Sequence, residues 1–428
     1  MHILFLNPGA QLGGAEVALL DMLASLRDAE PEWKLSLVVS ADGPLIAKAK
    51  ALGVDARVVR FPRSISRLGD SALRGPAGQQ QSRLALKAGM VLAAPTTLAY
   101  VRKLRRAIHD ARPDVVHTNG FKMHVLGAWA TPQSVPLIWH IHDYVSCRPL
   151  MARLLRRYAH RCALAFANSE SVAADLKTVC GSELAVRTIH NGIDLERFSP
   201  VGATLDLDAL SSLPPAGADT IRVGMLATFA RWKGHETLLR ALSLLPPDLP
   251  VRGYIIGDAL YETDGSQYSR SELESLAQEL GVTNRVGFTG FVPEPAATMR
   301  TLDIVVHAST DPEPFGLVIV EAMACGRAVI VSNAGGATEL IENNVNAFVH
   351  APGDAEQLAR AITELATNFE LRTRLGAHAR ATAELRFNRA RFAIELIPIY
   401  QLAQGQSLAS ELGKNTTRLD AEYEELRG

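Results

Sequence analysis

The sequence predicts an α/β fold built from two doubly wound Rossmann-like domains in tandem, facing across a cleft. Three observations point there. Short runs rich in Val, Ile and Leu recur with little alternation, as strands buried on both faces do. Helix-length segments separate those runs, which is the pattern of βαβ units around a parallel sheet. A Pro- and Gly-bearing stretch then interrupts the rhythm near mid-chain, and the rhythm restarts.

In chain order, the first half offers strands at Ile3–Leu6, Leu35–Val39, Val54–Val59, Val115–His117, Leu137–His142 and Ala165–Asn168. Helical segments between them include Glu16–Arg27 and Tyr100–His109. Residues 60–95 break the rhythm, with Gly75-Pro76 and a triple Gln at Gln79–Gln81. They read as a long mobile loop followed by an amphipathic helix from about Ser82. Ser199–Thr220, with Pro200, Gly202, Pro214, Pro215 and Gly217, reads as the linker. Beyond it come strands at Arg222–Leu226, Val251–Ile256, Val286–Thr289, Ile304–His307, Ala328–Ser332 and Ala347–Val349. Helices fall at Gly234–Leu245, Ser271–Leu280, Asp354–Thr367, Leu371–Leu385 and Arg389–Leu402. The expected domains are therefore residues 1–198 and 221–385, joined by 199–220. Residues 386–428 follow as a C-terminal helix and a polar tail.

Composition narrows the function. The chain has 428 residues, 47% hydrophobic and 21% charged, enough for two domains with buried cores. Its net charge of −1 and 6% aromatic content argue against a nucleic-acid binder. The cysteines, Cys147, Cys162, Cys180 and Cys325, are irregularly spaced, without a Cys-x-x-Cys pair, and fit a reducing compartment rather than a zinc site or disulfide framework. MHILFLNPG reads as a first strand and not as a signal peptide. The charge-free run Met123–His142 holds Pro132, Pro136 and three histidines, unlike a membrane span. The expected location is cytoplasmic, with the inner face of the membrane as a peripheral docking surface. That surface is suggested by local charge. Arg57–Arg106 carries eleven Lys/Arg and one acid, and Tyr144–Ser169 carries five Arg and no acid. Such a basic first half is either a solvated face or a site for anionic lipid or a phosphate-bearing acceptor.

The most informative segment runs from His307 to Leu340. A strand ends at His307, a loop carries Glu313, and a helix is expected from about Phe315 to Ala324. Glu321 lies eight residues after Glu313, about 12 Å along a helix axis at 1.5 Å per residue. Two carboxylates acting on one glycosidic bond stand roughly 5–9.5 Å apart. The wider spacing suits one acid at each end of an elongated ligand. The amides of Phe315, Gly316 and Leu317 would meet an anion between them. A carboxylate can hold the vicinal hydroxyls of a ribose or a sugar, so a nucleotide-sugar matches the pattern.

Other positions join it. Gly13-Gly14 follows the first strand and opens a helix, where backbone amides can approach a phosphate; a plain tight turn is the other reading. Lys233-Gly234 opens a helix in the second half, and Lys233 is a point charge suited to a diphosphate. His142 stands where a strand ends, with His140 as a rival on the same sheet face. Asn191-Gly192-Ile193-Asp194 marks the domain junction.

The run Glu313-Pro314-Phe315-Gly316 with Glu321-Ala322-Met323-Ala324-Cys325-Gly326, followed by Gly335-Gly336 and Glu339, resembles the signature of the retaining glycosyltransferases of GT-B fold, glycosyltransferase family 4. The likeness extends over residues 1 to about 400 and is strongest from Arg222 to Val349. It implies transfer of a hexosyl group from a nucleoside diphosphate sugar, with retention, to a glycan, lipid-linked or small-molecule acceptor, as in polysaccharide or glycolipid biosynthesis. It implies no cofactor and no metal, with front-face substitution assisted by the departing diphosphate. It places Gly13 and Gly14 at the donor pyrophosphate, His142 and Glu313 at the reacting sugar, Glu321 on the ribose, and Asn191 at the junction. It pairs Lys233 with an arginine five residues earlier. Thr228 occupies that position here, which leaves Arg231 to supply the second charge. It also takes the helix near Arg386–Tyr400 back to the first domain. The alternatives on the same architecture are a sugar-nucleotide epimerase and a non-catalytic nucleotide-sugar-binding protein.

Overall fold

The computed structural model describes residues 1–64, 83–259 and 266–405. They form two compact units: residues 1–64, 83–192 and 388–405, and residues 193–259 and 266–387.

The first unit is a seven-stranded parallel sheet: β1 (His2–Asn7), β2 (Lys34–Val39), β3 (Asp55–Val58), β4 (Val115–Asn119), β5 (Leu137–Ile141), β6 (Leu164–Ala167) and β7 (Val186–Thr188), in the order β3-β2-β1-β4-β5-β6-β7. The expected strands are all present. β7 is an edge strand of three residues, only partly buried, and its short run Val-Arg-Thr gives no apolar signal. Ile3 and Phe5 pack on one face with Ile138 and Phe166, while Leu4, Leu6, Trp139 and Ile141 pack on the other. That two-sided burial explains the unbroken apolar runs.

The helices expected from about Ser82 and at Tyr100–His109 are one continuous helix, Arg83–Ala111, with Pro95 inside it. The expected mobile loop falls largely on residues 65–82, outside the described residues, as does the polar tail beyond residue 405.

The second unit holds a six-stranded parallel sheet: β8 (Ile221–Leu226), β9 (Val251–Ile256), β10 (Val286–Gly290), β11 (Ile304–His307), β12 (Ala328–Ser332) and β13 (Phe348–His350), in the order β10-β9-β8-β11-β12-β13. Each sheet reverses its strand order once, between β1 and β4 and between β8 and β11. In doubly wound sheets, ligands bind beyond the carboxyl ends of the strands at that point.

Two boundaries differ from the sequence expectation. The segment 199–220 is packed as part of the second unit. Phe198 and Leu207 are buried in that unit's core. Asp208 accepts hydrogen bonds from Arg252 (2.6 Å), the Tyr254 hydroxyl (2.6 Å) and the Ala216 amide (2.9 Å). Prolines shape this segment, but its apolar side chains anchor it. The chain changes units at Gly192, ahead of residue 198.

The helix Ala390–Ala403 packs on the first unit. Phe392, Leu396, Ile399 and Tyr400 are buried among β1 and β2 side chains. The Tyr400 hydroxyl lies 2.8 Å from His117 Nδ1. Ala393 N–H donates to Ser25 Oγ (3.0 Å).

Asp208 carries a checkable consequence. Burial alone would raise its pKa, but the Tyr254, Arg252 and Ala216 hydrogen bonds and the Arg252 charge hold it below the usual 3.8. A depressed folded-state pKa gives stability that is fully present above about 3.8 and is lost as pH falls below it. Asp208→Ala leaves Arg252 and Tyr254 without their acceptor and should cost about 3–5 kcal/mol. Urea unfolding should show a lower midpoint for the second unit, and hydrogen exchange should speed up over residues 207–216. An unchanged exchange pattern would show that the segment is held by other contacts.

Candidate active site

In the second unit the site residues gather beyond β8 and β11, where the strand order reverses. After β8 the chain pairs antiparallel at Ala230 with Gln267, then makes a single turn at Arg231–Lys233. Gly234 follows at φ +81°, and a Cβ there would stand 1.9 Å from the Ala308 carbonyl oxygen. Only glycine fits both the backbone angle and the approach. That approach docks the turn on the loop after β11, where the Thr310 amide donates to the Trp232 carbonyl (2.7 Å). Lys233 Nζ thereby reaches Glu313 Oε2 at 2.6 Å.

Glu313 is held from its own loop as well. The same Oε2 accepts from Ser309 Oγ (2.8 Å) and His307 Nε2 (3.2 Å). Its backbone bridges to Gly335, and the Gly336 amide donates to the Glu313 carbonyl (2.7 Å). The trailing Gly-Gly thus fixes the main chain that presents the acid. Burial alone would raise the Glu313 pKa, but the Lys233 ammonium and the His307 ring hold the carboxyl well below its usual range. His307 is 4% exposed and Ser309 is 1% exposed. Neither was singled out from sequence. Their positions, two residues apart at the end of a strand and before the loop acid, are the only signal they give.

The helix of this segment spans Leu317–Ala324 and begins two residues later than expected. Gly316 sits at φ +98°, outside helical space, and serves as the N-cap. Phe315 precedes it with its ring buried edge-on against Phe387 (6.2 Å between centroids). Glu321 is half-buried. It shares with Leu317 and Val318 the less covered face of the helix, while Ile319, Val320, Ala322, Met323 and Ala324 face the core.

Arg231 points elsewhere. Its guanidinium pairs with Glu272 (2.7 Å) and lies 4.2 Å from the Tyr268 ring centroid. Thr228 is half-buried at the start of the same connection.

In the first unit, Gly13 precedes the helix Gly14–Ala29, and the Gly13 amide donates to Glu16 Oε2 (3.1 Å). His142 stands one residue past β5 and is half-buried. Its Nε2 contacts Asn119 Oδ1. His140 is fully buried in the core, with His142, Phe166 and His117 at 3.7, 4.2 and 5.7 Å between ring centroids. The structure therefore separates the two rivals: His140 packs, and His142 lies at the strand end. Burial lowers the His142 and His117 pKa values to about 3 and holds His124 and His140 well below normal, so the whole cluster is neutral near pH 7. Asp143 anchors the following loop, pairing with Arg148 (2.9 Å) and capping the Tyr144 amide (2.8 Å). Asn191 is buried beside Gly192, and its Oδ1 has no hydrogen-bond partner among the described residues.

Among the described residues, no group of three or more His, Cys, Asp or Glu is placed to hold a metal ion, and no helix is long and apolar enough to cross a membrane.

Comparison with known proteins bears on this arrangement. Residues 12–197 match the family described as Glycosyltransferase Family 4, and residues 215–382 match Glycosyl transferases group 1. The lipopolysaccharide core biosynthesis glycosyltransferase LpsE of Rhizobium meliloti is 30% identical over 49% of this chain and 56% of its own. The D-inositol 3-phosphate glycosyltransferase of Saccharomonospora viridis is 32% identical over 51% of this chain and 50% of its own. The chain thus spans about half the length of these curated relatives. Anabaena HepE, solved in complex with UDP, is 28% identical and superposes with a TM-score of 0.75 over 94% of this chain and 100% of its own. The same protein with UDP-glucose gives a TM-score of 0.74. Two parallel Rossmann-like sheets in the order found here, both family matches and these neighbours agree: the chain belongs to the group 1, family 4 glycosyltransferases of GT-B fold.

Proposed function

We propose that the protein transfers a hexosyl group from a nucleoside diphosphate sugar to a glycan, lipid-linked or phosphate-bearing acceptor, with the anomeric configuration retained. The observation that carries this reading is the Lys233–Glu313 pair at the strand-order reversal of the second sheet. The UDP and UDP-glucose complexes of HepE support a nucleotide-sugar donor. LpsE and the inositol-phosphate enzyme support glycan and phosphate-bearing acceptors.

In this reading the anomeric carbon–oxygen bond to the β-phosphate breaks as the acceptor oxygen attacks from the same face. The acceptor's proton passes to the departing diphosphate. Lys233 Nζ has three donors, and one is engaged by Glu313 among the described residues. The other two meet the charge that grows on the diphosphate, together with the backbone at Gly14 and at Phe315–Leu317, the Gly13 amide being taken by Glu16. Such preorganised electrostatics are commonly the largest catalytic contribution. Glu313, kept ionised by its three donors, fixes sugar hydroxyls. Glu321, on the less covered face of its helix, holds the ribose. His142 hydrogen-bonds the sugar, and Asn191 belongs to the same binding set. No metal is required.

Glu313→Gln and Lys233→Ala should each lower transfer at least roughly tenfold, since losing one such electrostatic contact typically costs more than that. Far-UV circular dichroism should be unchanged. A wild-type rate in either variant removes that residue from the reaction.

Incubation with UDP-, GDP- and ADP-hexoses and an acceptor extract, read by NMR of the product, should show the donor's anomeric configuration kept. Inversion would refute the mechanism. A donor altered without any acceptor would point to an epimerase, and a bound donor that never turns over would point to a binding protein.

A membrane-bound acceptor is the reading favoured by the helix Pro149–Tyr158. It exposes Arg153, Arg156 and Arg157, carries no acid and buries Leu155. At about 1 kcal/mol per basic residue near an anionic surface, reversing all three to Glu should weaken binding to phosphatidylglycerol vesicles at least roughly tenfold. Absence of vesicle binding by the unmodified protein would end this part of the proposal.

A further inference from the structure

Three polar residues outside the reading above, Asn7, Glu16 and Asn119, lie in a continuous hydrogen-bond chain that ends on His142. Asn7 closes β1 and is fully buried; Asn119 closes β4 and is 1% exposed. Glu16 Oε2 accepts from the Gly13 amide (3.1 Å), and Glu16 Oε1 accepts from Asn7 Nδ2 (3.1 Å). Asn7 Nδ2 also donates to the Gly9 carbonyl (2.8 Å). Asn119 Nδ2 donates to Asn7 Oδ1 (2.6 Å), and Asn119 Oδ1 meets His142 Nε2.

The direction of this chain is not free. An ionised carboxylate and a main-chain carbonyl can only accept. Both face the same atom of Asn7, so that atom is the amide nitrogen. Asn7 must then turn its oxygen to Asn119, and Asn119 must answer with its nitrogen. Its oxygen is left toward His142. Rotating either amide by half a turn would set oxygen against oxygen or N–H against N–H. An acceptor facing Nε2 requires a proton there, and a neutral ring has only one. Nδ1 is therefore bare, and among the described residues nothing bonds to it.

We propose that Glu16, acting through Asn7 and Asn119, fixes His142 in the Nε2–H tautomer, so that Nδ1 stands as a hydrogen-bond acceptor for a substrate hydroxyl. Glu16, Asn7 and Asn119 are positioning residues. This deepens the proposed function and rests on it for the identity of the hydroxyl. It makes His142 a group that receives a hydrogen bond from the sugar rather than one that gives it. The neighbouring ionisable groups favour a neutral ring. His140 packs against it as a buried neutral imidazole, His117 lies beyond His140, and His117 and His124 are buried and neutral as well, while the Glu16 charge is separated from it by two amides.

Glu16 also lies in the first turn of its helix, and capping that helix is the simpler role. The two roles differ in what they do to the His142 ring. The test uses the full chain labelled with 15N-histidine, read by long-range 1H–15N correlation, with the His142 signals assigned by their loss in His142→Gln. The wild type should show protonated Nε2 and bare Nδ1. Glu16→Gln can present either end of its amide to Asn7 and leaves the Gly9 carbonyl as the one fixed acceptor there, so it should release a measurable minor population with Nδ1 protonated. Asn119→Asp, which puts a carboxylate against Nε2–H, should raise the ring's pKa by roughly 1–3 units. A protonated Nδ1 in the wild type, or a tautomer unmoved by Glu16→Gln, overturns the proposal. Full transfer by His142→Gln would instead remove His142 from the reaction and leave the tautomer result standing, so the two failures are distinguishable.

Discussion

A carboxylate held out of water organises the second unit. Glu313 exposes only 13% of its side chain, and burying such a charge without partners costs several kcal/mol. Lys233, His307 and Ser309 offset that cost on a single oxygen. The ion pair joins the connection after β8 to the connection after β11, across the place where the strand order reverses. A further layer supports the donors. Ser332 Oγ donates to the Ser309 carbonyl (2.6 Å), and His350 Nε2 lies 3.3 Å from the His307 carbonyl. Both come from the ends of β12 and β13, so the outer strands of the sheet hold the groups that hold the acid.

The first unit meets the same problem with neutral groups. Beyond β1, β4 and β5 it sets two asparagine amides and an imidazole in series and ends them on one half-buried carboxylate, Glu16. Neutral amides are less costly to bury than charges, but they must be fully paired and consistently directed. Behind them His140 and His117 fill the core, and His117 is tied to Tyr400 of the C-terminal helix. The helix that returns to this unit is thus packed against the ring cluster beneath His142.

Much of this was legible in the sequence where local pattern governs. Strands sandwiched between two layers read as apolar runs, and the acids, the Lys-Gly pair and the Gly-Gly pairs stand in recognisable spacing. What was missed depends on long-range pairing. Asn119 and Asn7 are 112 residues apart, and Asp208 finds Arg252 at a distance of 44, so no window of sequence contains either interaction. His307 and Ser309 lie inside the most telling segment, yet a strand-end histidine carries no mark of its partner. Composition misled once. Prolines and glycines made residues 199–220 resemble a free linker, although Leu207 and Asp208 bind it to the second core. The late start of the helix at Leu317 has a backbone cause, since Gly316 holds a left-handed angle that no helix contains.

The two cations of the Arg231–Lys233 turn show how position, rather than residue type, assigns a role. They are two residues apart, and the turn sends them in different directions. The backbone from Phe229 to Arg231 pairs with Ser266–Tyr268, with the Arg231 amide donating to the Ser266 carbonyl (3.0 Å) and the Tyr268 amide to the Phe229 carbonyl (2.8 Å). That pairing lays Tyr268 beneath the Arg231 guanidinium and leaves Glu272 beside it, which saturates its charge with a ring face and a carboxylate. Gly234 meanwhile presses the other end of the turn onto Ala308, which delivers Lys233 to Glu313. Arg231 is thus committed to a carboxylate and a ring face away from Glu313, whereas Lys233 meets Glu313 with one of its three donors. With threonine at position 228, the turn therefore leaves Lys233 as the cation that meets Glu313, while Arg231 is held by Tyr268 and Glu272.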